Sequence, residues 1–341
     1  MVYGNELADI ARDLVVKGKG ILAADESSPT MQKRFDSIGV ESTLGNRRDY
    51  REMLFKTEGS NEFISGVILY DETVRQSGSD GEPLIETLQN QGIIPGIKVD
   101  KSTKPLAGSD GELVTEGLDG LRQRLMEYRE LGAKFTKWRA VISIGDSTPT
   151  LYCIRTNAQA LARYAVLSQE AGLVPIVEPE VLMDGNHDID RCFSVTELTL
   201  REVFYELSLQ CVRLEGMLLK PNMVISGKSA INRAPAGVVG KKTITCFKRV
   251  VPAAVPGIVF LSGGQGDDEA IDNLNSINKV ANCMGAPWEL SFSFGRGLQA
   301  LPLKAWKGDT RNFAVAQRAY YSRAKVTGLA RDGRYSSNDN E

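Results

Sequence analysis

An eight-stranded α/β barrel is the fold this sequence predicts, and three features of the chain predict it. Short apolar runs recur along nearly all of its 341 residues. Consecutive runs begin about 30–45 residues apart, enough for the crossover helix that joins parallel strands. The stretches between them carry apolar residues at helical spacing, and there are eight such units. One barrel with loop insertions accommodates a chain of this length. Residues 1–335 are therefore expected to form one (β/α)8 domain, with 336–341 as a polar, disordered tail.

The strands are read in order from GILAAD (20–25), FISGVILYDE (63–72), IIPGIKVD (93–100) and KFTKWRAVI (134–142). LVPIVEPEVL (173–182), EGMLLKPNMV (215–224), GIVFLSGGQ (257–265) and WELSFSFG (288–295) complete the set. Helical faces follow from Leu118, Leu121, Leu125 and Tyr128, and from Leu200, Val203, Phe204, Leu207 and Cys211. Thr156 or Asn157 is expected to cap a helix that Gly172 stops. The segments 78–81 and 108–111, each Gly-Ser-Asp-Gly, read as turns. There is no linker and no fixed sequence period, which excludes a solenoid.

Composition narrows the function classes. A net charge of −2 with 42% hydrophobic and 25% charged residues describes an ordinary globular chain without a basic field. Nucleic acid and acidic membrane surfaces are not expected partners. The five cysteines, Cys153, Cys192, Cys211, Cys246 and Cys283, are odd in number, far apart and without a CxxC pair. They suit a reducing cytoplasm rather than a disulfide framework or structural zinc. The first residues lack a leader pattern and no apolar run approaches the ~20 residues of a membrane span. The whole chain is expected to be the mature protein.

Function is read from charges that interrupt the strands. Asp25, Asp71, Lys98, Lys137, Arg139, Glu178, Glu180, Lys220 and Arg296 fall at or near strand C-termini, the catalytic face of such barrels. Burial of Lys220 within Met-Leu-Leu-Lys-Pro would disfavour its ammonium and release a neutral amine able to attack a carbonyl. The alternative is a lysine past the strand end with its amine in solvent. Lys137 supplies a second cation that would further depress one of the two amines. Glu178 and Glu180 project to the same side of an extended segment, and Asp25 enters from the neighbouring first strand. These carboxylates can be counterions, acid/base groups or both. The only histidine, His187, sits in an expected exposed loop, which argues against histidine triads and multi-histidine metal sites. Neither a metal nor a cofactor is expected.

Two glycine-bearing loops suggest a phosphate site. Ser262-Gly263-Gly264-Gln265 follows the seventh strand, and Ser293-Phe294-Gly295-Arg296-Gly297 follows the eighth. Barrels often bind phosphate there, with backbone N–H groups approaching the oxygens and an arginine pairing with them. Lys98 and Arg139, on earlier strands, could hold a second phosphate across the mouth.

In their order, one to a strand, GILAADES (20–27), GIKVDK (96–101), KWR (137–139), VEPE (177–180), LLKPNMV (218–224), LSGGQ (261–265) and FGRGLQ (294–299) resemble class I fructose-1,6-bisphosphate aldolases over nearly the whole chain. The resemblance implies a metal-independent lyase that cleaves fructose 1,6-bisphosphate reversibly through a lysine Schiff base, in glycolysis and gluconeogenesis. It implies Lys220 as the Schiff-base lysine, Glu178 as proton acceptor and donor, Lys137 as the neighbouring ammonium and Asp25 as an aid to proton transfer, with Glu180 beside them. Ser262, Gly263, Gly264, Ser293, Gly295 and Arg296 would hold the ketose-end phosphate, and Ser27, Lys98 and Arg139 the distal one. Arg34 and Arg47 match arginines bordering the family's substrate mouth. A homotetramer is implied, and relatives also bind actin and other partners.

The sequence departs from the family pattern at three points. It ends Gly-Arg-Tyr-Ser-Ser-Asn-Asp-Asn-Glu where many relatives continue to a C-terminal tyrosine that assists enamine protonation; slower protonation, or another proton donor, is the expectation. Ser28-Pro29-Thr30 replaces a stretch of small residues, which puts a distal-phosphate contact from Thr30 in doubt. Phe294 stands where tyrosine is frequent. Two other readings stay open: a Schiff-base lyase acting on a single phosphate, and a barrel that binds partners without turnover.

Overall fold

The computed structural model describes residues 4–340 and contains the expected closed barrel. Its strands are β1 (Gly20–Ala24), β2 (Ile64–Leu69), β3 (Ile94–Lys98), β4 (Phe135–Ile142), β5 (Val174–Val181), β6 (Leu218–Leu219), β7 (Gly257–Phe260) and β8 (Glu289–Phe294). Each is parallel to the next, and β8 returns to β1 through Ile21 opposite Ser293 and Leu22 opposite Phe294. All eight apolar runs are strands because each is buried on both faces, by the barrel interior and by the outer helices. The shortest, β6, stops where Pro221 removes a donor, although Lys220 N–H still donates to Val177 O at 2.8 Å. The register therefore holds up to Lys220.

Inside the barrel, Ile21, Ile68, Phe135, Ile176, Leu218 and Val259 form one apolar cluster with Leu7, Ala11, Leu14 and Val15. The last four belong to, or directly follow, the N-terminal helix Gly4–Asp13, which plugs the lower end of the barrel. Close approach requires small residues on the strands it meets. A Cβ at Gly66 would lie 2.6 Å from Leu14, and one at Gly257 2.6 Å from Val15. The plug closes the end opposite the strand C-termini, so the interior opens at one mouth.

The outer helices follow the expected periodicity with one shifted boundary. Helix Leu151–Glu170 starts at Thr150, whose hydroxyl accepts from Cys153 N–H at 3.1 Å. Thr156 and Asn157 are interior to it, because the threonine ahead of the first apolar turn satisfies the terminal donors first. Gly172, at φ +77°, follows the helix end as expected. An antiparallel hairpin, Thr103–Pro105 with Leu113–Thr115, lies between β3 and β4, and the 108–111 turn falls in its loop. At the chain end, Ser337–Asn340 forms a 3-10 turn with Ser336 N–H donating to Asp339 at 2.7 Å, in place of the expected disorder. Glu341 lies outside the described residues.

Strand-to-strand packing in the interior is tested at Gly96, where an added Cβ would sit 2.3 Å from the fully buried Phe135 ring. Gly96→Ala is expected to cost about 1–3 kcal/mol in denaturant unfolding, the usual range for overpacking. Gly237→Ala, on a helix with nothing within 4 Å, is expected to be neutral or stabilising.

Candidate active site

A cavity of about 630 Å³ opens at the C-terminal ends of the strands. Its wall includes Asp25, Ser27, Arg34, Lys98, Lys137, Arg139, Glu178, Glu180, Lys220, Ser262, Gly263, Gly264, Ser293, Gly295 and Arg296. Strand register explains the convergence. Lys98 is opposite Lys137 across β3 and β4, and Arg139 is opposite Glu178 across β4 and β5. Residues at i and i+2 share a face, so Lys137 and Arg139, like Glu178 and Glu180, point into the same space.

Glu178 stands between the two lysines. Its Oε1 is 3.3 Å from Lys220 Nζ, and its Oε2 is 3.1 Å from Lys137 Nζ. The second contact is an ion pair outside hydrogen-bond geometry, so Glu178 Oε2 has no hydrogen-bond partner. Lys137 Nζ is also 2.5 Å from Asp25 Oδ2. All four side chains are buried or nearly so, with exposures between 4% and 12%.

The two amines are driven in opposite directions. Burial disfavours both ammonium groups, but Asp25, Glu178 and Asp100 outweigh it at Lys137 and hold that group above the ordinary lysine range. At Lys220 burial prevails: Glu178 and Asp25 favour its charge, Lys137 opposes it, and the net shift is below the usual lysine value. Asp25, despite its own burial, is held below the carboxylate range by Lys137, Lys220 and Lys98. One amine is thereby made the easier to neutralise while its neighbour stays charged.

Around this centre are two clusters of polar and charged groups. On the β7 and β8 side, Gly263 has φ +50°, and a Cβ there would meet Leu261 at 2.7 Å, so the turn needs glycine. Gly295 and Arg296 line the mouth at the N-terminus of helix Arg296–Trp306. Arg296 Nη2 donates to Gln265 O at 3.0 Å, and Ser293 Oγ is buried without a partner. Arg34 joins this side at 2.8 Å from Glu26 Oε1. Across the mouth, Lys98 Nζ is 2.5 Å from Asp100 Oδ1, Ser27 Oγ is 3.2 Å from Thr30 Oγ1, and Arg139 forms a close ion pair with Glu180. Thr30 does line the cavity.

Three expected placements change. Arg47 does not line this cavity: its Nε and Nη2 donate to Glu72 at 2.8 and 2.6 Å, and this paired contact turns it away. Asp71 starts a short helix and pairs with Arg75 at 3.0 Å outside the main cavity. His187 is partly buried rather than exposed, because its loop is bound by Gly227 N–H donating to His187 O at 2.8 Å. Sequence reasoning gave no role to Asp100, Glu26 or Lys228, which also line the cavity. Asp100 follows Lys98 by two positions in an extended segment, a spacing that could have revealed it. Lys228 carries no such signal, because the docking of two loops brings it to the rim.

A family model described as "Fructose-bisphosphate aldolase class-I" matches residues 6–341. The probable fructose-bisphosphate aldolase class 1 of Xanthomonas campestris is 55% identical over 331 residues, covering 97% of this chain and 98% of its own. The cytosolic fructose-bisphosphate aldolase 5 of Arabidopsis thaliana is 52% identical over 334 residues, covering 98% and 92%. A structure of the Plasmodium falciparum fructose-bisphosphate aldolase, in complex with TRAP and a small-molecule inhibitor, superposes with a TM-score of 0.96. That chain is 48% identical, with 98% of this chain and 96% of the other covered.

The depressed Lys220 has a stability consequence with a fixed sign. A lysine whose folded pKa lies below its unfolded value costs stability at neutral pH, and the cost vanishes as pH rises towards 10.5. Lys220→Met is expected to raise the melting temperature near pH 7, by an amount that shrinks towards pH 10.5. Thermal denaturation across that range checks it, and activity should be lost throughout.

Proposed function

The chain belongs to the class-I fructose-bisphosphate aldolase family, cleaving fructose 1,6-bisphosphate reversibly to dihydroxyacetone phosphate and glyceraldehyde 3-phosphate through a lysine Schiff base, without a metal; from that premise we propose which residues carry each step. The observation that carries the assignment is that two buried amines share the Glu178 carboxylate, but only Lys137 is also paired with Asp25, so burial prevails at Lys220 alone.

Neutral Lys220 is the nucleophile. Its amine adds to the C2 ketone, the carbinolamine loses its hydroxyl as water, and the iminium left behind draws electrons from the C3–C4 bond. Glu178 is the group nearest the nucleophile, at 3.3 Å, and it exchanges the protons of addition and dehydration. A carboxylate, Glu178 with Asp25 contributing, accepts the C4 hydroxyl proton as the C3–C4 bond breaks. The aldehyde product departs, and the electron pair is left in an enamine. Protonation at C3 restores the iminium, and water hydrolyses it to dihydroxyacetone phosphate and free Lys220. Lys137 stays charged throughout, pairing with both carboxylates, keeping Asp25 ionised and polarising substrate oxygens.

The two phosphates of the substrate are assigned as the family resemblance implies. Ser262, Gly263, Gly264, Ser293, Gly295 and Arg296 bind the ketose-end phosphate; the unpartnered Ser293 hydroxyl and the helix N-terminus at Arg296 support this. Ser27, Lys98 and Arg139 bind the distal one, with Glu180 orienting Arg139. Arg34 contributes from the rim. The family reading extends to a homotetramer. Cytosolic relatives support a cytoplasmic location, and the Plasmodium relative in complex with TRAP supports a capacity for a secondary protein partner.

Borohydride reduction with dihydroxyacetone phosphate tests the nucleophile, because reduction makes the iminium permanent. Peptide mass spectrometry is expected to find the adduct on Lys220. An adduct on Lys137, or none in an enzyme that turns over, contradicts the assignment.

A further inference from the structure

The distal half of the cavity depends on a carboxylate that does not face the reacting carbons. Asp100 lies just beyond β3, between Lys98 and the hairpin strand Thr103–Pro105, and is only 8% exposed. Its Oδ1 is 2.5 Å from Lys98 Nζ and accepts from Ser102 N–H at 3.1 Å. Its Oδ2 accepts from the backbone N–H of Arg139 at 3.3 Å. Lys98 Nζ also donates to Asp100 O at 3.0 Å.

Each contact fixes a different part. The first holds a flexible lysine on the side of the mouth, despite the like charge of Lys137 directly opposite on β4. The second stabilises Ser102 at φ +71°, an uncommon backbone state for a residue with a side chain, where the chain turns into the hairpin. The third joins the end of β3 to β4 at the residue whose guanidinium Glu180 orients. A buried carboxylate with this set of donors is costly to change and spatially exact for its partners.

We propose that Asp100 is the positioning residue for the distal phosphate: it sets Lys98 and Arg139 at the separation that a ketose carrying two phosphates requires. It thereby determines the preference for bisphosphates over ketose 1-phosphates. The inference rests on the assignment of Lys98 and Arg139 to that phosphate. Asp100 pairs with Lys98, while Asp25 and Glu178 pair with Lys137 and remain to hold its charge when Asp100 is replaced, so the ketose-end chemistry is spared.

Steady-state cleavage of fructose 1,6-bisphosphate and fructose 1-phosphate by Asp100→Asn tests this. For the bisphosphate kcat/KM is expected to fall roughly 10- to 100-fold, as misplacement of positioning groups produces. For the monophosphate it should stay within about threefold, since no distal contact exists to lose. Borohydride trapping of dihydroxyacetone phosphate, which needs only the ketose-end half, should be unchanged. Lys98→Met, run alongside, tests the underlying assignment. If it keeps the bisphosphate preference, the assignment fails and the inference with it. If Lys98→Met loses the preference and Asp100→Asn keeps it, Asp100 is not the positioning residue. An equal loss on both substrates together with loss of trapping would make Asp100 a purely structural group, which also overturns the proposal. Should Asp100→Asn not fold, Asp100→Glu retains the charge and displaces it. That variant carries the same expectation of a selective loss, and a wild-type preference in it is equally contrary.

Discussion

The rest of the site depends on the position of Glu178 between two lysine amines on neighbouring strands. Three buried charges in a row would be costly unless each met an opposite one. Asp25 supplies the fourth charge, on Lys137 and not on Lys220. This asymmetry decides the chemistry. Lys137 has two carboxylates close by and holds its proton, whereas Lys220 shares one carboxylate at a longer distance and faces a neighbouring cation.

The barrel makes such an arrangement affordable. Apolar side chains fill the interior below the lysines, and the N-terminal helix closes the lower end. Water is excluded there, while the backbone groups remain satisfied by the parallel ladder. Because Lys220 N–H still donates to Val177 O, the proposed nucleophile sits on the rigid wall of the barrel rather than on a loop. The segments after β7 and β8 supply Ser262, Gly263, Gly264, Gly295 and Arg296, proposed for the ketose-end phosphate, at a turn with positive φ and a helix N-terminus. Lys98 and Arg139, proposed for the distal one, are instead on β3 and β4.

Much of this was legible in the sequence, for identifiable reasons. Each strand lies in a short, mostly apolar run that is flanked by glycine or proline, so all eight were found. Charged residues in such runs had few places to go except the mouth, which located Lys137, Glu178 and Lys220. What was not legible depends on packing between segments distant in sequence. The cap at Thr150 displaced Thr156 and Asn157, and the pairing with Glu72 withdrew Arg47. The short hairpin after β3 lacks a strong alternating pattern, yet it brings Ser102 and Thr103 to the rim. Glu26 and Asp100 escaped notice because their partners, not their positions along a strand, define what they do.

The division of charge between Lys137 and Lys220 is the central claim, and it can be observed without turnover. The direct measurement is an NMR titration of the two side-chain amines in ε-¹⁵N-lysine-labelled protein, with signals assigned by single lysine-to-methionine variants. Lys220 is expected to lose its proton at a pH below the ordinary lysine value of 10.5, while Lys137 remains protonated above it. Titration of both near 10.5, or loss of the proton from Lys137 first, would contradict the account.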